Sequence, residues 1–157
     1  MERHDFKLDE LAERIAKGDH RLVALQVPEG LKIQALEIID ELDTERRTGA
    51  YTITGGSITR HLSGKDEVRF YEPYARAINE RFPDRWLSKM VVQALPRDQV
   101  QRFRDAGVQT YHPNYEIWDE RLFPIICPGK ESYVGRDAWM RRIVDAADIF
   151  GPSQVIP

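Results

Sequence analysis

Cysteine occurs once in these 157 residues, at Cys127. That excludes an intrachain disulfide and any metal site built from several thiolates of this chain. A lone thiol fits a reducing, cytoplasmic compartment. No apolar run approaches the roughly 18 residues that a membrane-spanning helix needs. Met1 to Asp9 mixes acidic and basic side chains, unlike a secretory signal. No membrane partner is expected. Neither sign of charge dominates, because 23 Lys and Arg against 26 Asp and Glu leave a formal charge of -3. Such a balance offers no basic footprint for nucleic acid. No repeat at a fixed period and no low-complexity tract is visible. His4, His20 and His61 lack metal-ligand spacing, so no residue is assigned to a metal. What remains, 41% hydrophobic and 31% charged, is the composition of a folded globular protein. Its length suits one domain and falls short of the roughly 250 residues typical of a complete eight-unit barrel.

Apolar positions Phe6, Leu8, Leu11, Ile15 and Ala16 recur at helical spacing and stop at Gly18. Leu22 to Val27 then reads as a strand closed by Pro28, and Leu31, Ala35, Leu36, Ile38, Ile39 and Leu42 predict a helix. Ala50 to Thr54 predicts a second strand, ending in Gly55-Gly56-Ser57. Tyr74, Ala75, Ile78 and Phe82 predict a helix over 71–82, with Pro73 tolerated in its first turn. Trp86 to Gln93 is a third strand. Pro96 opens a helix whose face is Val100, Phe103 and Ala106 before Gly107, and Val108 to Tyr111 is a fourth strand. The chain to Lys130 reads as irregular. From Asp137 a helix presents Trp139, Ile143, Val144, Ala147 and Phe150 inward, and Val155-Ile156 starts a fifth strand. Alternation of strand and helix predicts parallel βαβ units. The expected fold is an α/β partial (β/α) barrel of about five parallel strands, with residues 1–43 as an amino-terminal helix-strand-helix unit and 44–157 as the barrel part.

Polar groups concentrate just beyond the fourth strand, where parallel sheets place their ligands. Asn114 and Glu116 alternate along a stretch expected to be extended, so both can point one way, with His112 sharing their face. Glu116 offers two acceptor oxygens suited to a ribose diol, and Pro113 restricts the backbone between them. The competing structural roles are a turn capped by Asn114 and a surface pair between Glu116 and Arg121. Gly55 and Gly56 let a ligand approach the backbone, although a Gly-Gly pair after a strand also serves as a plain tight turn. Cys127 beside Lys130 reads either as an activated thiol or as a small apolar residue continuing Ile125-Ile126. Arg141-Arg142 reads as an anion contact or a solvated helix face.

From about Tyr51 to Pro157 the chain resembles the middle of a radical S-adenosylmethionine enzyme of the biotin-synthase-like branch. Thr54-Gly55-Gly56-Ser57 resembles the glycine pair whose backbone binds the methionine amino group, with Ser57 where many members carry Glu. Tyr111-His112-Pro113-Asn114-Tyr115-Glu116 resembles the Tyr-x-x-Asn-x-Asp/Glu element after the fourth strand. The resemblance implies Asn114 near the methionine moiety or substrate and Glu116 on the ribose hydroxyls. Asp137 to Arg142 with Phe150-Gly151 resembles the following helix and implies Arg142 on the cofactor carboxylate. The family's cofactors are S-adenosylmethionine and a four-iron cluster. The CxxxCxxC motif that holds the cluster is absent from this sequence, and without a cluster no deoxyadenosyl radical forms. Residues Asp5 to about Leu42, with Val23-Ala24-Leu25-Gln26-Val27-Pro28-Glu29-Gly30-Leu31-Lys32 as the quoted match, resemble instead the amino-terminal part of archaeal diphthamide synthase. The join near Asp43 reads as a splice of two incomplete pieces.

The expectation that follows is a fragment or chimera of a radical S-adenosylmethionine enzyme that keeps part of the cofactor site (Gly55, Gly56, Ser57, His112, Asn114, Glu116 and Arg142) and is inactive alone. It has no assigned catalytic residue. Open sheet edges would favour self-association or a protein partner. The rival expectations are a subunit that completes a split radical enzyme and a protein of diphthamide biosynthesis.

Overall fold

Within residues 49–54 and 66–157, which the computed structural model describes, three short runs form a parallel sheet. These are β1 (Ala50–Thr54), β2 (Leu87–Val91) and β3 (Thr110–His112), in the spatial order β1-β2-β3. Ile53, Met90 and Tyr111 stand side by side in the register. After the last helix the chain returns to the far edge of β3, where Val155 forms a parallel bridge with Tyr111. The Tyr111 N–H donates to the Gln154 carbonyl at 2.9 Å, and the Ile156 N–H donates to the Tyr111 carbonyl at 3.0 Å. Parallel neighbours in chain order need helical crossovers, and the helices supply them.

The expected five-strand partial barrel is not what the described residues form: they hold three strands and one bridge. The expected Leu22 to Val27 strand, the unit over 1–43 and the turn Gly55-Gly56-Ser57 lie outside the described residues.

The helices are α1 (Glu67–Arg81), α2 (Arg97–Asp105), α3 (Phe123–Ile126), α4 (Pro128–Tyr133) and α5 (Arg136–Phe150). Helix α1 begins earlier than its apolar spacing suggests, because Asp66 caps it by accepting the Arg69 N–H at 2.7 Å. Pro73 therefore sits well inside the helix rather than in its first turn. It is exposed, so water can reach the carbonyl that its missing N–H would have bonded. Helix α2 ends in a Schellman motif: the Gly107 N–H donates to Arg104 and the Val108 N–H to Phe103, at 3.0 and 3.1 Å. Gly107 takes the required left-handed conformation at φ 88°. The segment expected to be irregular contains the two short helices α3 and α4.

Met90 and Tyr111 from the sheet pack with Val68, Tyr71 and Ala75 of α1, Val100 and Phe103 of α2, and Ala146 and Phe150 of α5. The helices thus cover one sheet face. On α5 the buried positions are Trp139, Ala146 and Phe150, whereas Val144, expected inward, is 60% exposed. The opposite face carries the alternate residues: Thr52, Lys89 and Thr110 in one row, and Thr54, Val91 and His112 in the next. A second, smaller cluster of Ala94, Tyr115, Phe123 and Trp139 closes the carboxyl end of the sheet.

Candidate functional site

Parallel strands deliver their following loops to one end of the sheet, and here that end is where the loop after β3 meets α4 and α5. Tyr111 fixes the geometry from below. Its hydroxyl donates to the Gln93 carbonyl at 2.5 Å and accepts from the Leu95 N–H at 3.1 Å, joining the β2–α2 loop to β3. Burial pushes this phenol well above its ordinary pKa, so it stays a proton donor. Gln93 also donates to the buried Glu67 carboxylate at 2.5 Å. The ring of Tyr111 stacks on Phe150 with centroids 5.7 Å apart.

Beyond His112 the chain does not continue extended as far as Glu116. Glu116 has φ 75°, and the Ile117 N–H donates to the Tyr115 carbonyl at 3.0 Å. These describe a γ-turn of the rare positive-φ kind, centred on a residue with a Cβ. A conformation of this sort costs about 1–3 kcal/mol and persists where surrounding contacts hold it. The contact is Lys130. Its Nζ donates to Glu116 Oε1 at 2.7 Å and to the Asn114 carbonyl at 2.6 Å, and it lies 4.8 Å from the centroid of the Trp139 ring. The Trp139 Nε1–H donates to the Pro113 carbonyl at 3.0 Å, holding the indole against the same loop. Glu116, Lys130 and Trp139, with Gln93, Cys127 and Val134 among others, line a cavity of about 600 Å³.

The structure brings some of the expected residues together and separates others. Glu116 lines the cavity, whereas Asn114 is exposed and is linked to it only by its main-chain carbonyl, which accepts from Lys130. Asn114 and Glu116 are both exposed with the buried Tyr115 between them, and the chain turns at Glu116. His112 lies on the sheet face opposite the helices, with Nε2 and Thr110 Oγ1 3.3 Å apart. Its pKa is lowered, first by burial and then by the Lys89 ammonium. Arg142 donates to the Ala94 carbonyl at 2.9 Å and so braces the loop after β2. Glu116 pairs with Lys130 rather than with Arg121, which bonds Asp119 at 3.3 Å. Cys127 is partly buried against the second cluster. Gly55, Gly56 and Ser57 lie outside the described residues.

Lys130 and Trp139 are the site residues that motif reading missed. Lys130 stands out in the sequence only as a neighbour of Cys127, and Trp139 only as a core position on its helix.

One cysteine in the whole chain cannot supply three thiolates, and among the described residues no group of three His, Cys, Asp or Glu could hold a metal ion. A four-iron cluster therefore does not fit this chain's own residues. The Glu116 side chain is 49% exposed, and among the described residues only its Oε1 is hydrogen-bonded. No protein-family model matches the chain, and no curated protein or solved structure is significantly similar to it. No helix among the described residues is long and apolar enough to cross a membrane.

Proposed function

We propose that this chain is a ligand-binding relative of the radical S-adenosylmethionine barrels, which holds an adenosyl sulfonium ligand at the carboxyl ends of its parallel strands and performs no radical step with its own residues. The observation that carries the reading is Glu116, a carboxylate kept in a strained turn at the mouth of a cavity. Strain of this kind gathers at ligand sites, where a surrounding shell over-determines it. In this reading the two Glu116 oxygens accept the ribose hydroxyls, Asn114 meets the methionine end, and the Gly55-Gly56 backbone approaches the amino group. Arg142 acts as a brace. The sequential parallel order of β1, β2 and β3 supports descent from a (β/α) barrel. Bound, S-adenosylmethionine would bring a sulfonium and a ribose diol. The chain's own part is to orient the diol and exclude water from the apolar side near Ile126 and Val134.

Equilibrium dialysis with labelled S-adenosylmethionine tests this. Saturable binding that Glu116→Ala weakens supports it, and no binding by the folded protein sinks it.

A second reading makes the chain a subunit whose site is completed by another polypeptide that supplies the cluster ligands. The apolar side chains of Trp118, Leu122, Ile125 and Ile126, exposed around the site, favour it. Anaerobic iron reconstitution with and without the product of the neighbouring gene separates the two readings. Broad visible absorbance that needs both chains favours the split enzyme, and its absence in both argues against it.

A further inference from the structure

Lys130 is placed as a ligand would be. Its ammonium has a carboxylate oxygen at 2.7 Å, a carbonyl oxygen at 2.6 Å and an indole face at 4.8 Å, which together compensate one positive charge. Trp139 is 1% exposed and lines the cavity, with the Lys130 ammonium over its ring. The segment that carries Lys130 is weakly anchored. Helix α4 buries no residue, and its neighbour α3 buries only Phe123. Little apolar area is lost if α4 swings outward, which is the property of segments that open locally.

We infer that Lys130 is a tethered stand-in for a ligand cation: it fills a cage made by the Trp139 ring, the Glu116 carboxylate and the Asn114 carbonyl, and a small organic monocation of the ammonium or sulfonium class enters by displacing it. The inference rests on the ligand site proposed above and adds how that site is kept shut. A cavity of about 600 Å³ exceeds what one ammonium needs, leaving room for the body of the ligand against Ile126, Cys127 and Val134. Displacement also frees Glu116 Oε1 for a hydroxyl. A bound internal cation lowers apparent affinity by the fraction of molecules in which the cage is open. Removing it should tighten cationic ligands and leave neutral ones nearly unchanged.

The test compares the full-length wild type with Lys130→Met, which keeps the apolar stem, and with Lys130→Gln as a second variant in case the first does not fold. Tetramethylammonium, S-adenosylmethionine and the uncharged-sulfur analogue S-adenosylhomocysteine are titrated against each. The expected result is about tenfold tighter binding of both cations by the variants, for a cage shut in about nine molecules of ten, with a smaller change for the neutral-sulfur analogue. Equal affinity of wild type and variants for S-adenosylmethionine overturns the inference and leaves the proposed function standing. Tightening for tetramethylammonium with no binding of either adenosyl compound does the reverse. In the wild type, reductive methylation read by peptide mass spectrometry should label Lys130 faster when tetramethylammonium is present, with Lys89 as internal reference. Unchanged labelling at saturating cation also overturns the inference.

Discussion

Changing Tyr111 to Phe removes one oxygen atom and two hydrogen bonds from the interior. The Gln93 carbonyl is in a half-buried residue and can find water, so its loss costs little. Leu95 is 3% exposed, and its N–H has the Tyr111 oxygen as its acceptor at 3.1 Å. An unpaired buried donor costs about 1–3 kcal/mol. The ring itself stays stacked on Phe150, so no cavity larger than the hydroxyl opens. The expected loss is therefore about 2 kcal/mol, which for a chain of this size lowers Tm by roughly 4–8 °C. Urea unfolding followed by circular dichroism measures it, with an unchanged m-value showing that the unfolded state is the same. The pH dependence adds a second check. Burial raises the folded pKa above the unfolded 10.0, so the stabilisation is full below pH 10 and lost as pH rises beyond it. Tyr51 and Tyr71, each pushed up to about 12 by burial, contribute in the same direction. Tyr111→Phe should flatten the alkaline loss in part, leaving those two contributions. A destabilisation below about 0.5 kcal/mol, within the range of surface substitutions, would refute the view that this phenol staples two loops.

Gly107→Ala should destabilise by about 1–3 kcal/mol, since the new Cβ would meet Asn79 Nδ2 at 2.7 Å in a left-handed conformation; urea midpoints check it. At position 116 the usual order of Gly and Ala should reverse, with Glu116→Gly more stable than Glu116→Ala by about 1 kcal/mol because the turn needs positive φ; thermal melts of the two variants decide. The lowered pKa of His112 means that the unfolded chain binds a proton more readily than the fold. Its contribution is present above the ordinary value of 6.5 and lost as pH falls through the lowered folded value. His112→Gln should remove that part of the acid loss, and Lys89→Met should shrink it, as read by melts from pH 7 to pH 4.

Local rules made much of the scaffold legible. The Val100, Phe103, Ala106 and Gly107 pattern announces a helix with a glycine stop, and all three apolar residues are buried before a Schellman turn. Strand positions from β1 to β3 were readable because β-branched and apolar residues cluster there. The start of α1 escaped because the cap, Asp66, follows a polar stretch of sequence, and Pro73 suggests a later beginning than the Asp66 hydrogen bond sets. On α5, Val144 and Ala147 satisfy an apolar spacing, but the helix turns Ala146 inward instead. The site was half legible. Glu116 was visible as an acceptor after a strand. The turn that aims it was not, since positive φ at a glutamate is a consequence of Lys130 and Trp139, fourteen and twenty-three residues further along, closing over it. Contacts of that range leave no local pattern to read.

A crystal structure of the protein grown with S-adenosylmethionine tests the central claim most directly. The ribose hydroxyls should lie within hydrogen-bonding distance of the Glu116 carboxylate, with Lys130 withdrawn from the Trp139 face. An adenosyl group bound elsewhere, or one seated there with the Lys130 to Glu116 pair unbroken, would contradict it.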